Sequence, residues 1–172
     1  QYRNKSAPPP LRRAQAAELL RICHGAGAKL IINDDLWLAV ELGADGAHVS
    51  IDECPGSSVS AARDILGPHR LLGVSCHASL DEAEKAAPHA DYLAFGSMFA
   101  STSKPQAAPC PLSLLKEAKA RFGLPIAAIG GITLENAPKV IAAGADMVAV
   151  INGLFDAMNI QKRAEKFRHL FP

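Results

Sequence analysis

Short apolar runs alternating with helical stretches, an Ala-Asp step that recurs between them, and glycines at helix ends predict an α/β chain of the (β/α)8 TIM barrel class. The runs lie in QYRNK, KLIIN, GAHVS, LLGVS, YLAFGSM, PIAAIG and MVAVI. Most are apolar throughout, as suits a parallel sheet buried on both faces; a sheet with one wet face would alternate polar and apolar. Eight strands close such a barrel and seven candidates are present, so the first βα unit is expected to be absent from this sequence. Residues 1–172 then form one barrel domain holding strands 2 to 8. An open doubly wound sheet would instead call for a GxGxxG loop after an early strand, and none follows one here.

Taken in order, a helical stretch from Leu11 to Gly27 follows QYRNK, and KLIIN leads into a second that ends at Gly43. Helical patterns recur in SVSAARDIL, SLDEAEKAA, PLSLLKEAKARF and LENAPKVIAA, and AMNIQKRAEKFRHLF supplies a helical tail. The Ala-Asp step joins helix end to strand start in GADGAHV, HADYLAFG and GADMVAV, where Gly43 and Gly144 suit helix C-caps.

Composition narrows the function. With 49% hydrophobic residues, 18 basic side chains and 17 acidic ones, the chain can bury a substantial core and shows no bias toward polyanions. Small-molecule partners are expected, with no nucleic acid and no membrane, and a homo-oligomer stays open. The cysteines Cys23, Cys54, Cys76 and Cys110 form no CxxC pair and read as reduced thiols, and no stretch has the length of a membrane span or the apolar core of a signal peptide. A cytoplasmic location is expected.

In a β/α barrel the chemistry sits at the C-terminal ends of the strands. Gln1, Arg3 and Lys5 alternate along an extended segment, which puts three polar heads on one face as an anion clamp; a solvated, frayed terminus is the plainer reading. Asn33-Asp34-Asp35 follows the next strand. Asp35 precedes an apolar helix and suits its N-cap, leaving Asp34 as a Mg²⁺ ligand candidate. One strand later Asp52 and Glu53 offer a second carboxylate, and two carboxylates plus substrate phosphates are a usual Mg²⁺ set. Ser75, His77 and His48 also end strands, though a lone histidine there is more often structural. The loop with Ser101, Thr102, Ser103 and Lys104 combines hydroxyls with a point charge and suits a phosphoryl group, or is a plain linker. In AAIGGIT, consecutive glycines let backbone N–H groups approach a phosphate, near the last strands where barrels commonly bind one.

QYRNK, INDD, GADGAHVS, GVSCH, ADYLAFGSMF, the hydroxyl loop ending in Lys104, AIGGIT and GADMVAVI together resemble the thiamine-phosphate synthase family over most of the chain. The resemblance implies an enzyme that joins a hydroxymethylpyrimidine diphosphate to a thiazole phosphate, giving thiamine phosphate and pyrophosphate with Mg²⁺. It implies that Gln1, Arg3, Lys5, Asn33, Ser75 and Lys104 serve the pyrimidine diphosphate, with Arg3, Lys5 and Lys104 catalytic. Ser101, Thr102, Ser103, Gly131, Ile151 and Asn152 fall to the thiazole phosphate, and Asp34 to the metal. This sequence reads SIDE where the family has Gly-Gln-acid-Asp, so Glu53 stands at the second metal position, and either its longer side chain reaches the metal or Asp52 substitutes. Two rivals remain: a thiazole tautomerase, a sister group that typically lacks the QxRxK and NDD sets, and a non-catalytic phosphate-binding barrel.

Overall fold

A computed structural model describes residues 1–100, 106 and 108–171, which fall into two compact units. The first comprises Gln1–Ser75 with Pro88–Asp91. Helix α1 (Pro9–Gly25) opens on proline, whose missing N–H is no loss in a first turn, and buries only Ala16 fully. Strand β1 (Ile31–Asn33) is followed by α2 (Leu36–Leu42), where the Asp35 carboxylate accepts the Leu38 N–H at 3.0 Å and Gly43 ends the helix at φ 68°. The capping role read from sequence therefore holds for both residues. Strand β2 (Gly46–Ser50), the 3-10 turns Ile51–Glu53 and Pro55–Ser57, α3 (Val59–Leu66) and β3 (Leu71–Ser75) complete the unit.

Its strands run parallel in the order β1-β2-β3, with Ile32 beside Ala47 and Ala47 beside Leu72. Ile32, Val49, Leu66, Leu72 and Val74 are wholly buried, each stabilising the fold by roughly 1.5–3 kcal/mol relative to exposure. The run QYRNK does not form a strand of its own. Tyr2 makes a single parallel bridge to Ile32: its N–H donates to the Ile31 carbonyl at 2.9 Å and its carbonyl accepts the Asn33 N–H at 3.0 Å. Six strands are thus named among the described residues where the sequence suggested seven.

The second unit comprises Cys76–Ala87 and Tyr92–Pro172. It contains α4 (Leu80–Ala86), β4 (Tyr92–Phe95), α5 (Leu112–Phe122), β5 (Ile126–Ile129), α6 (Ala137–Ala142), β6 (Met147–Ala149), α7 (Asn152–Phe155) and α8 (Ile160–Arg168). The strands pair in parallel as β4-β5-β6 around buried Leu93, Phe95, Leu115, Ile126 and Val140. Ser79 and Asn159 cap α4 and α8 through the Glu82 and Lys162 N–H groups.

The repeated Ala-Asp step has a structural cause. The Asp45 carboxylate accepts the Leu30 N–H at 2.7 Å and meets His24 at 3.0 Å, while the Asp45 N–H donates to the Leu30 carbonyl. Asp91 does the same with the Leu72 N–H and Arg63, and Asp146 with the Ile126 N–H and Lys119. Each aspartate thus holds the start of one strand, Leu30 before β1, Leu72 in β3 or Ile126 in β5, and pins to it the helix that leads into that strand, α1, α3 or α5.

Candidate active site

In the first unit the residues at the strand ends gather around one ammonium group. Lys5 Nζ lies 2.7 Å from Asp34 Oδ2 and 2.6 Å from Glu53 Oε1. Asp34 sits at φ 66°, the left-handed region an aspartate tolerates better than most residues, and its N–H donates to the His48 carbonyl at 2.9 Å. Glu53 is fixed from behind, because its Oε2 accepts from the Ser50 N–H and hydroxyl at 3.2 and 3.0 Å. Among the described residues Asp52, one position earlier, makes no hydrogen bond or ion pair.

These contacts set the protonation of the trio. Burial pushes the Glu53 carboxyl upward, but hydrogen bonds with Asp34, Lys5 and Ser50 outweigh it and bring it down to about 2. Asp34 moves above its ordinary value through burial and then its neighbour Glu53, against the pull of Lys5. The Lys5 ammonium is held above its usual value by Asp34 first and Glu53 second.

Along residues 1–5 exposure alternates: Gln1, Arg3 and Lys5 are exposed, whereas Tyr2 and Asn4 turn inward, both donating to Gln15 Oε1. Arg3, Lys5, Asn33 and Asp34 line a cavity of about 30 Å³ together with Arg12 and Asp35. A larger hollow of about 550 Å³ runs past Tyr2, Gln15, Glu18 and Leu19, but it offers a single carboxylate and no cation, so volume does not pick the site. Ser75 ends β3 in register with Ser50 at the end of β2. His48 is buried in β2, and exposed His77 adopts φ 49° while its carbonyl accepts the Gly96 N–H.

In the second unit the Gly-Gly loop is packed tightly. A Cβ on Gly130, at φ 102°, would collide with the Ser97 side chain, and one on Gly131, at φ 58°, with the Ala100 carbonyl, so glycine is required at both. A Cβ on Gly153 would strike the Ile132 carbonyl, which places the turn carrying Ile151 and Asn152 against the loop. Ile151 is exposed and its carbonyl accepts the Leu154 and Phe155 N–H groups, while Asn152 Nδ2 donates to Asp156 at 2.9 Å. Ser101, Thr102, Ser103 and Lys104 lie outside the described residues.

A sequence model of the thiamine monophosphate synthase family matches residues 1–154. The chain belongs to that family. A thiamine-phosphate synthase from Azoarcus sp. strain BH72 is 49% identical over 99% of this chain and 82% of its own length, and one from Nitrosococcus oceani is 49% identical over 100% and 78%. The solved thiamine phosphate pyrophosphorylase from Pyrococcus furiosus is 30% identical with a TM-score of 0.85, covering 97% of this chain and 79% of that one. A 3-hexulose-6-phosphate synthase structure, 16% identical with a TM-score of 0.70, shares the fold. The fold class is accordingly the β/α barrel read from the sequence.

For a thiamine monophosphate synthase relative the donor set fits Mg²⁺. Two hard carboxylates, Asp34 and Glu53, meet at one cation position, although among the described residues no group of three or more His, Cys, Asp or Glu side chains gathers here or anywhere else. Mg²⁺ is commonly held by one or two carboxylates, with waters and substrate phosphates completing the shell.

Two residues escaped the sequence reading. Arg12 Nε is buried without a hydrogen-bond partner among the described residues, and its Nη1 lies 3.7 Å from Asp35. Asn136 bonds back to the Gly-Gly loop through both ends of its amide. One arginine of the adjacent pair Arg12-Arg13 early in a helix carries no sequence signal, and an asparagine before a proline-containing helix start reads as a cap.

Proposed function

We propose that this chain is a thiamine-phosphate synthase, a transferase that couples 4-amino-2-methyl-5-hydroxymethylpyrimidine diphosphate with 4-methyl-5-(2-phosphoethyl)thiazole and releases pyrophosphate. The observation that carries the reading is the Lys5–Asp34–Glu53 cluster with Arg3 beside it, in a chain 49% identical along nearly its whole length to thiamine-phosphate synthases. Such a cluster suits a diphosphate and a divalent cation together.

The coupling needs no nucleophilic side chain, since the thiazole nitrogen attacks the pyrimidine methylene as the C–O bond to diphosphate breaks. The thiols agree with this: burial pushes Cys54 and Cys110 up to about 11 and Cys76 up to about 12, which keeps them protonated and inert. A bound Mg²⁺, held by Asp34 and Glu53, would supply charge neutralisation on the leaving diphosphate. Arg3, Lys5 and Lys104 meet the negative charge that grows there, and Gln1, Asn33 and Ser75 orient the pyrimidine substrate. Ser101, Thr102, Ser103, Gly131, Ile151 and Asn152 hold the thiazole phosphate. Cysteines outside any disulfide support a reducing, cytoplasmic setting.

Incubating the purified protein with both substrates and Mg²⁺ tests the proposal. Thiamine phosphate and pyrophosphate are expected in equal amounts; substrate binding without turnover would reassign the chain as a phosphate-binding barrel.

A further inference from the structure

We propose that Asn136 is a positioning residue for thiazole-phosphate binding, one that holds the Gly130–Ile132 backbone so that its N–H groups face the phosphate. The proposal rests on reading this loop as the phosphate-binding element of a synthase. Asn136 precedes α6 at the N-cap position, where an asparagine side chain ordinarily accepts a hydrogen bond from the first turn of the helix. Here it makes no such bond. Its Oδ1 accepts the Thr133 N–H at 2.8 Å and its Nδ2 donates to the Gly131 carbonyl at 2.9 Å, so both ends of the amide are spent on the loop.

The consequence follows from peptide geometry. In a trans peptide the carbonyl of one residue and the N–H of the next point in opposite directions. The Ile129 carbonyl accepts the Met98 N–H at 2.9 Å, the Gly130 carbonyl accepts the Phe99 N–H at 3.1 Å, and the Gly131 carbonyl accepts from Asn136. Three successive carbonyls are tied down, and each tie turns the following N–H away from its own partner. Among the described residues the Gly131 and Ile132 N–H groups have no acceptor, and two adjacent free N–H groups on a glycine loop make a site for an oxyanion. Main-chain donors make the first two ties. Asn136 makes the third with a side chain, and among the described residues no other hydrogen bond holds the Gly131–Ile132 peptide.

The test compares the parent enzyme with Asn136→Ala and Asn136→Asp. Aspartate keeps the acceptor for Thr133 and can cap α6, but it cannot donate to Gly131. Both variants should raise the KM for thiazole phosphate by about 3- to 10-fold, the loss of one hydrogen bond, while the KM for pyrimidine diphosphate stays within about 2-fold. Amide exchange at Thr133, whose N–H the side chain accepts, followed by NMR, should quicken in Asn136→Ala and stay near the parent rate in Asn136→Asp, and the Tm of Asn136→Asp should stay near the parent value. A parent-like thiazole KM in Asn136→Asp, equal rises in both KM values, or unchanged exchange at Thr133 in Asn136→Ala would overturn the assignment. If the parent does not turn over, the synthase reading falls and inorganic phosphate decides the matter. Gly131 and Ile132 amide shifts that move with phosphate in the parent and not in Asn136→Ala uphold the role of Asn136; shifts that stay still in the parent refute it.

Discussion

Asp52 and Glu53 are adjacent in sequence yet differ in their surroundings, because only Glu53 is tied at both oxygens, to Lys5 on one side and Ser50 on the other. Glu53→Gln is therefore expected to raise the Mg²⁺ concentration needed for half-maximal activity by 10-fold or more, within the ~10- to 100-fold loss typical of a weakened metal shell, and Asp52→Asn to leave it within about 2-fold. Equal or reversed effects in a Mg²⁺ titration would remove Glu53 from the metal site. The same carboxyl fixes an acid dependence. Its folded pKa of about 2 lies below the ordinary 4.5, so its contribution to stability is complete above 4.5 and lost as the pH falls toward 2. Asp34, shifted upward, partly offsets this. On acidification from pH 5 to about pH 2 the parent should lose more Tm than Glu53→Gln does; parallel curves would deny the depressed carboxyl. Arg3 has no ion pair among the described residues and stands beside the cluster where leaving-group charge would build. Arg3→Ala should lower kcat by about 10²–10³, the cost of one electrostatic donor, and an unchanged kcat in steady-state kinetics would reduce Arg3 to a binding role.

At the level of the elements, the aspartate clamps explain why a strand-start motif recurs. Asp91 holds the Leu72 N–H at 2.7 Å and Arg63, whose guanidinium also donates to the Gly67, Arg70 and His89 carbonyls. Asp91→Ala leaves that N–H and the guanidinium short of an acceptor and should cost about 1–3 kcal/mol in urea unfolding. Asp91→Asn keeps an oxygen for Leu72 and should cost less. If the two variants unfold alike, the backbone bond is not what the carboxylate contributes. The Ala-Asp repeat was legible in the sequence, but its partners were not, since Asp91 and Arg63 are 28 positions apart and only the fold brings them together. Apolar runs marked six strands correctly, and five of them carry buried residues; β6 carries none, and its Met147 is exposed. QYRNK has Tyr2 as its one apolar residue and pairs on the β1 side through a single bridge, so it stops short of a strand. Helix α7, four residues long, is too brief for any period to show.

Across the whole chain, the residues assigned to the pyrimidine diphosphate and the metal fall mainly in the first compact unit, and those assigned to the thiazole phosphate in the second. The meeting of Lys5 with Asp34 and Glu53 was anticipated because NDD and SIDE place carboxylates just after strands, whereas the loop contacts of Asn136 and the burial of Arg12 Nε follow from packing that no spacing encodes. Binding should stabilise the folded chain in proportion to occupancy, because a ligand that prefers the folded state adds RT ln(1 + [L]/Kd). Pyrophosphate with Mg²⁺ carries the charge that Arg3, Lys5, Asp34 and Glu53 are arranged to meet. At a hundred times its Kd it should add about 2.7 kcal/mol, which for a chain of this size raises Tm by roughly 5–11 °C. Mg²⁺ alone should do much less, because two carboxylates without phosphate oxygens leave its shell mostly water. Arg3→Ala should shrink the pyrophosphate shift at fixed ligand concentration, whereas Asn136→Ala should leave it whole. Thermal melts of the three proteins with and without ligand check this: no pyrophosphate shift in the parent would remove diphosphate binding from the Lys5 cluster, and a shift lost equally in both variants would show that folding, not the site, had been disturbed.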